Sequence, residues 1–178
     1  MVCIYQNVFS ILYPKYREIY LLKRWNNIQE IMKNYDLEIE IHKVSRIINV
    51  KNSMYIRNIY LLIKGRDFLR LIVRSVPLSI AKKIFDDNIT YCILKINLFF
   101  KKKKRYDKRN IYKWKKEYLI IKVLEFISGC NIITRGNSIC IIGGQESINI
   151  LLNMINKSNK KLNYLKLLQL FIKINNNR

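Results

Sequence analysis

The spacing of apolar residues changes twice between residues 120 and 155, and this change limits the chain to folds that combine helices with a sheet. At first the apolar side chains recur every three or four residues, which is typical of one face of a helix. Two short apolar segments follow, 131–135 and 138–142, joined by Gly136 and Asn137, a pair that favours a tight hairpin turn. Helical spacing then resumes. A hairpin between two amphipathic helices is therefore predicted, which indicates an α+β fold.

The first half of the chain carries the same two kinds of pattern. We predict one amphipathic helix over residues 14–35, followed by strands at 37–44 and 46–51. After a polar bend, an apolar run at 60–63 leads into a helix, and Pro77 begins another. This half is therefore expected to contain helix, strand, strand, helix and helix, and a chain of 178 residues has room for two small domains or one large one.

A basic segment at 101–116 is the strongest indication of a ligand. Ten of its sixteen residues are Lys or Arg, and Tyr106, Tyr112 and Trp114 lie among them. The whole chain has 34 basic and 12 acidic residues, a formal charge of +22, so RNA, DNA or an anionic membrane surface are the candidate partners. Dense cations attract polyphosphate, and aromatic rings can stack on unpaired bases. The alternative is a solvated loop made lysine-rich by drift in an AT-rich genome.

Several classes of protein are disfavoured by what the sequence lacks. The four cysteines have no C-x-x-C spacing, and the single histidine, His42, cannot complete a zinc site with them, so reduced thiols in a reducing compartment are expected. No apolar run is long enough to span a membrane, and no secretory signal precedes the first strand or helix. We identify no nucleophile and base pair and no metal cluster, so we expect no enzymatic activity, no cofactor and no small-molecule substrate. Gly143-Gly144 before a helix fits either a phosphate site or a tight connection.

Four short segments carry a resemblance to a known family. They are Tyr13-Pro14-Lys15-Tyr16-Arg17-Glu18, Tyr60-Leu61-Leu62-Ile63-Lys64-Gly65-Arg66-Asp67, Arg74-Ser75-Val76 and Arg135-Gly136-Asn137-Ser138. With these segments in order between about Phe9 and Lys173, the chain resembles the KRR-motif component of the small-subunit processome, a nucleolar ribosome-assembly protein with two KH domains. The predicted order strand, helix, basic loop, helix, strand, strand, helix over 89–157 is also that of a type I KH domain, a module that binds single-stranded nucleic acid.

The resemblance implies an α+β fold of two tandem type I KH-like units packed together, with a C-terminal helix. It implies an N-terminal helix and a degenerate, protein-contacting first unit at 1–88, an RNA-facing second KH domain at 89–158, and an amphipathic helix with a polar tail at 159–178. The implied function is that of an RNA-binding factor needed for pre-rRNA processing and 40S subunit assembly in the nucleolus. Its implied partners are small-subunit precursor rRNA and processome proteins.

The implied contact residues fall into two groups. Those expected to bind RNA are Lys101, Lys102, Lys103, Lys104, Arg105, Lys108, Arg109, Lys113, Lys115, Lys116 and Lys122. Those expected to contact a docking partner, unless they form only the solvated face of a helix, are Arg66, Arg70 and Arg74. Asp67 is expected in the first turn of the same helix, where an acid interacts favourably with the helix dipole.

Two departures from the family pattern lie in the basic segment. The family's Lys-Arg-Arg motif corresponds to Lys108-Arg109-Asn110, and its G-P-K-G clamp corresponds to Lys115-Lys116-Glu117-Tyr118. Glycine lets backbone amides approach phosphate closely, and bulkier residues cannot copy that geometry. Side-chain cations would therefore have to replace the backbone contacts, which favours phosphate attraction with little base selectivity.

Three other functions remain open on the sequence alone. A reduced family member could serve as a protein-interaction scaffold within the same pre-ribosomal particle without binding RNA. The chain could also be a generic KH protein that binds single-stranded nucleic acid. Peripheral membrane association would need an exposed amphipathic helix, for which the segment from Leu162 is the candidate.

Overall fold

The chain divides into two compact units, Met1–Asp87 and Asn88–Arg178. The computed structural model describes residues 8–53, 58–95, 118–136 and 138–157. The basic segment at 101–116 and the predicted C-terminal helix at 159–178 lie outside the described residues. Within the described part of the chain, no helix combines the length and the apolar composition that crossing a lipid bilayer requires.

The first unit is a three-stranded antiparallel sheet with helices on one face. Its elements are β1 (Val8–Leu12), α1 (Glu18–Lys23), α2 (Trp25–Lys33), β2 (Leu37–His42), β3 (Ile47–Asn52), α3 (Ile59–Val73) and α4 (Leu78–Ala81). The strand order is β1-β3-β2, so the third strand in sequence lies in the centre of the sheet. Short 3-10 turns precede α1, at Lys15–Arg17, and follow α4, at Lys82–Phe85.

Apolar and polar residues alternate along β2, and they lie on opposite faces of the sheet as predicted. Leu37 and Ile39 are buried, whereas Glu38 and Glu40 are exposed. The apolar side chains pack with Met32 of α2, Ile48 of β3 and α3 in the core of the unit. The acidic side chains lie on the opposite face of the sheet, away from the helices.

The prediction of a single helix over residues 14–35 is wrong, because the segment begins as a 3-10 turn and the α-helix is interrupted at Arg24. This residue has φ −108° and ψ 10°, and it is both the C-cap of α1 and the N-cap of α2. The hydrogen-bond pattern nevertheless continues through the junction, since the Arg24 N–H donates to the Tyr20 carbonyl at 3.1 Å and the Ile28 N–H donates to the Arg24 carbonyl at 3.0 Å. The break therefore leaves the helical spacing intact, and no glycine or proline marks it in the sequence.

The first strand, β1, is absent from the sequence prediction. Its five residues, Val-Phe-Ser-Ile-Leu, do not alternate between apolar and polar types, so the period-two signal is missing. Its partner strand is distant in sequence, as the pairing of Phe9 with Val50 shows. Only this long-range pairing identifies the segment as a strand.

The long helix α3 owes its position to three residues of the family-like segments. Gly65 lies where a Cβ would contact Leu37 Cδ1 and would be 3.0 Å from Met32 Cε, so α3 approaches the sheet closely. Arg17 donates a hydrogen bond from Nη2 to the Ile72 carbonyl at 2.8 Å, near the end of α3. Ser75, at φ +70°, ends the helix. These segments therefore have structural roles in the first unit.

Asp67 lies in the middle of α3, not in the first turn, because the helix begins before the predicted apolar run. Asn58 is the N-cap, and its Oδ1 accepts hydrogen bonds from the N–H groups of Tyr60 and Leu61 at 3.0 and 3.3 Å. The run at 60–63 is thus already helical. The expected interaction of Asp67 with the helix dipole is therefore wrong.

The second unit repeats the sheet of the first. Its described elements are β4 (Thr90–Lys95), α5 (Tyr118–Ser128), β5 (Asn131–Arg135), β6 (Ser138–Gly143) and α6 (Gln145–Lys157). The strand order is β4-β6-β5, and both pairs are antiparallel. The predicted hairpin is confirmed, with Gly136 at φ +53° in its turn. The chain therefore has an α+β fold of two KH-like units.

Candidate nucleic-acid interface

The helix α5 and the edge strand β5 lie side by side in the second unit, and the turn between them is fixed by hydrogen bonds. The Ser128 hydroxyl donates to the Leu124 carbonyl at 2.7 Å and accepts from the Cys130 N–H at 3.3 Å. Gly129, at φ +66°, ends the helix as predicted. The chain therefore reverses within a few residues, and β5 runs back along α5.

Glu125 joins the two elements. Its Oε1 accepts a hydrogen bond from the Ile132 N–H at 2.7 Å, and its Oε2 accepts one from Lys122 Nζ at 2.8 Å. The carboxylate is mostly shielded, with 17% of the side chain exposed, whereas 52% of the Lys122 side chain is exposed. Glu125 thus satisfies an amide on the open edge of the sheet and holds a solvent-facing cation beside it.

Lys122 is the one predicted RNA-contacting residue that lies in the described part of the chain, and its ion pair with Glu125 partly neutralises it. The other predicted residues lie outside the described part, and their role stays a prediction. They are Lys101, Lys102, Lys103, Lys104, Arg105, Lys108, Arg109, Lys113, Lys115 and Lys116.

Phe126 is a surface residue that the sequence interpretation missed. Its ring is 87% exposed, although Leu124 on the same helix is buried in the core. The predicted apolar face of this helix was drawn through residues 120, 123, 124 and 127. Phe126 falls outside that face. An aromatic residue on the polar side of an amphipathic helix was therefore the sequence signal that could have indicated an exposed ring.

The three arginines predicted to contact a partner line one side of α3 in the first unit. Arg66 pairs with Asp67 at 2.9 Å, and Arg70 lies 3.9 Å from the same carboxylate. The Arg66 guanidinium also lies over the Phe9 ring at 5.1 Å. Arg74 is at the C-cap of the helix and is half-buried. Two of the three cations therefore have intramolecular partners, which favours the structural interpretation of this face.

The open face of the first sheet has a local charge that differs from the charge of the chain. Lys51 in the central strand lies 2.7 Å from Glu40 and 3.5 Å from Glu38, both on β2. The hydrogen bond and the charge of Lys51 lower the pKa of the Glu40 carboxyl, and the same hydrogen bond raises the pKa of Lys51. Two acids thus surround one cation, and these three side chains together carry a net negative charge. The first unit also lacks glycine at Arg24, the junction between its helices α1 and α2. A KH domain that clamps the RNA backbone has a G-X-X-G loop, and this junction does not have one.

Gly143 has a packing role. A Cβ at this position would lie 2.7 Å from Cys130 Sγ and 3.3 Å from Cys130 Cα. The tight connection between β6 and α6 therefore accounts for the first glycine of the Gly143-Gly144 pair, and the pair gives no support to a phosphate site.

The described cysteines are thiols. Cys92, Cys130 and Cys140 form no disulfide, and burial raises the pKa of the Cys92 and Cys130 thiols. Across the described residues, no group of three His, Cys, Asp or Glu side chains is arranged to hold a metal ion.

Comparison with known proteins identifies the first unit directly. Residues 7–87 match the family model of the Krr1 KH1 domain. They include the complete sheet and helices of the first unit. Three of the four short segments that carry the family resemblance lie within these residues, and the fourth, at 135–138, lies in the second unit.

Three solved structures share the fold over almost the whole chain. The crystal structure of the a/eIF2alpha–aDim2p–rRNA complex from Pyrococcus horikoshii OT3 contains a chain with a TM-score of 0.75 and 16% identity, covering 99% of this chain and 98% of that one. The crystal structure of Dim2p from the same organism has a TM-score of 0.71 and 16% sequence identity, and the match covers 94% of this chain and 99% of that one. The crystal structure of a protein of unknown function from Aeropyrum pernix has a TM-score of 0.77 and 13% sequence identity, and the match covers 96% of this chain and 92% of that one. These likenesses show that the whole chain shares the fold of these structures, and residues 7–87 within it match the Krr1 KH1 domain.

Proposed function

We propose that this chain is a non-catalytic, RNA-binding factor of ribosome biogenesis that acts in the nucleolus within the small-subunit processome. The observation that carries the proposal is the match of residues 7–87 to the Krr1 KH1 domain, followed by a second unit with the same sheet order. The likeness to Dim2p, a protein crystallised in a complex with rRNA, supports the same class of ligand. Precursor rRNA of the small subunit is the proposed ligand, and processome proteins are the proposed partners.

The second unit is the proposed RNA-binding part. The basic segment at 101–116 directly precedes α5 in the sequence, and Lys122 adds a solvent-facing cation on the helix itself. The first unit offers a sheet face on which Lys51 is matched by two glutamates. Because phosphate contacts supply most of the affinity of such proteins, RNA is expected on the second unit.

A salt series on the full chain tests RNA binding. If about six phosphates are neutralised, the affinity for a single-stranded fragment of small-subunit precursor rRNA falls with a log-log slope near −4. Between 50 and 200 mM salt, this slope corresponds to a loss of roughly two to three decades of affinity. Reversing the charges at Lys101–Arg105, Lys108 and Arg109 should flatten the slope. An affinity that does not depend on salt would contradict RNA binding by the basic segment.

Crosslinking in cells tests the proposed ligand and location. RNA covalently attached to the protein by ultraviolet light should be enriched in small-subunit precursor rRNA, and the protein should co-localise with a nucleolar marker. Enrichment of messenger RNA instead would favour a generic KH protein that binds single strands.

A protein-interaction scaffold is the second candidate, and one surface of the first unit favours it. Tyr16, in the 3-10 turn, and Ile19 and Leu22, in α1, recur every three residues and are exposed, with Lys15 and Lys23 exposed beside them. An apolar stripe flanked by cations fits an apolar segment that carries acidic residues. If the charge-reversed variant still assembles into pre-ribosomal particles and Ile19→Asp does not, the scaffold function is the correct one.

A further inference from the structure

Phe126 presents an aromatic ring to solvent on the outer side of α5. Single exposed apolar residues are common on protein surfaces, so exposure alone indicates no function. The surroundings of Phe126 distinguish it, because the ring lies on a helix that joins the basic segment to the edge strand β5. Among the described aromatic side chains that are largely exposed, it is also the most exposed.

A cation lies one turn away from the ring on the same face of the helix. Lys122 and Phe126 are four residues apart, and such residues are neighbours on a helix surface. Glu125 holds the Lys122 ammonium at 2.8 Å on the side of β5, which leaves the Phe126 ring uncovered. A cation beside an exposed ring is the combination by which proteins bind single-stranded nucleic acid, with the phosphate on the cation and the base on the ring.

Charge favours RNA over other occupants of this face. The chain carries a formal charge of +22, and the residues that precede α5 are its most basic segment. A second copy of the chain would bring the same positive charge, and the two would repel each other. A polyanion with exposed π faces complements both the cations and the ring.

We propose that Phe126 is a stacking platform for one unpaired base of the bound RNA, with Lys122 contacting a neighbouring phosphate. The inference rests on the proposed RNA-binding function and assigns a site to it. Every base has a π face, so the contact tolerates any sequence. It requires a single strand, because the bases of a duplex are already stacked and paired.

Equilibrium binding of the full chain to a mixed-sequence single strand containing 2-aminopurine tests the proposal. Phe126→Ala should lower the affinity about 5- to 100-fold, the range measured when a stacking residue is removed. It should also abolish the quenching of 2-aminopurine fluorescence, which stacking causes. Phe126→Trp should retain both the affinity and the quenching. Tyr60→Ala, which removes a ring that is 48% exposed on α3 of the first unit, is the control and should change neither.

The salt dependence separates the two residues. Phe126→Ala removes no phosphate contact, so its log-log salt slope should equal that of the wild type. Lys122→Ala should reduce the magnitude of the slope by about 0.7, the value for one phosphate of a single strand. Unchanged circular dichroism and melting temperature of each variant would show that the fold is intact.

The outcomes distinguish this inference from the proposed function. If the wild type does not bind RNA, the proposed function fails. If the wild type binds RNA and Phe126→Ala binds it equally well, the stacking site is wrong and the proposed function stands. If Phe126→Ala leaves RNA affinity unchanged and converts a dimer to a monomer in sedimentation, Phe126 is a contact between copies and the proposal is overturned. Equal competition by duplex RNA would also overturn it.

Discussion

The carboxylate of Glu125 accepts a hydrogen bond from the backbone N–H of Ile132 at 2.7 Å and thereby covers an amide on the open edge of the second sheet. The contact ties α5 to β5. It also protects an edge that would otherwise offer an unpaired donor to another strand. The second unit is therefore held together at the place where RNA binding is proposed.

Glu125→Ala should lower the free energy of unfolding of the second unit by about 1–3 kcal/mol, because the Ile132 N–H loses its acceptor in a partly buried position. Urea denaturation followed by circular dichroism measures this change. Glu125→Gln is the control, since its side-chain oxygen can still accept the hydrogen bond. It should lose only the charge of the exposed pair with Lys122, at most about 1 kcal/mol. Equal losses for the two variants would contradict the role of the hydrogen bond.

Ser75→Gly should stabilise the first unit by roughly 0.5–1 kcal/mol, because Ser75 adopts a left-handed conformation that costs a residue with a Cβ about 1–2 kcal/mol. The Ser75 and Val76 N–H groups donate to the Ile72 and Leu71 carbonyls at 2.9 and 3.1 Å, so the backbone is fixed in this conformation. Thermal unfolding measures the gain. Ser75→Ala keeps a Cβ and should bring no such gain; an equal gain would rule out the conformational explanation.

Gly65→Ala should destabilise the first unit, although alanine favours a helix by about 1 kcal/mol over glycine. The added Cβ would meet Leu37 and Met32, both buried in the core, and overpacking costs typically about 1–3 kcal/mol. A net loss of roughly 1–2 kcal/mol is expected from chemical denaturation. Adding Leu37→Val should recover part of it in a double-mutant cycle, and additive losses would show that the two positions do not clash.

Glu40 should titrate below the ordinary range of glutamate, since its hydrogen bond with Lys51 and the charge of that ammonium lower its carboxyl pKa. A carboxyl whose pKa is lower in the folded state stabilises the fold above its unfolded pKa, and this contribution is lost as the pH falls through the folded value. Nuclear magnetic resonance of the side-chain carboxyl measures the titration. Lys51→Met should move the Glu40 pKa back towards the ordinary value. An unchanged pKa in that variant would contradict the pairing.

Local signals account for the parts of the fold that the sequence predicted well. The hairpin of β5 and β6 follows from Gly136 and from the short apolar segments on either side, and the end of α5 follows from Gly129. Each depends on neighbours within a few residues. The alternation of β2 is equally local.

The parts that were wrong have no local signal in the sequence. β1 becomes a strand only by pairing with β3, and the turn at Arg24 preserves the hydrogen-bond spacing of a continuous helix. The family-like segments were also more informative about the fold than about RNA binding. Arg17 bonds to the end of α3, Gly65 allows α3 to approach the sheet closely, and Ser75 ends the helix. For the candidate site, the sequence named Lys122, whose RNA contact stays a prediction, and it could not indicate the Glu125–Ile132 hydrogen bond, which requires the folded chain.

The pairing of Lys51 with two glutamates has a consequence for how a ligand orients. A protein with cations on every face would let a polyanion bind in many poses of similar energy, and the bound state would be a mixture. Two of the chain's 12 acids lie on this sheet face, where they outnumber Lys51, the cation between them. We therefore expect the proposed RNA to bind in fewer orientations than it would on a protein with cations on every face.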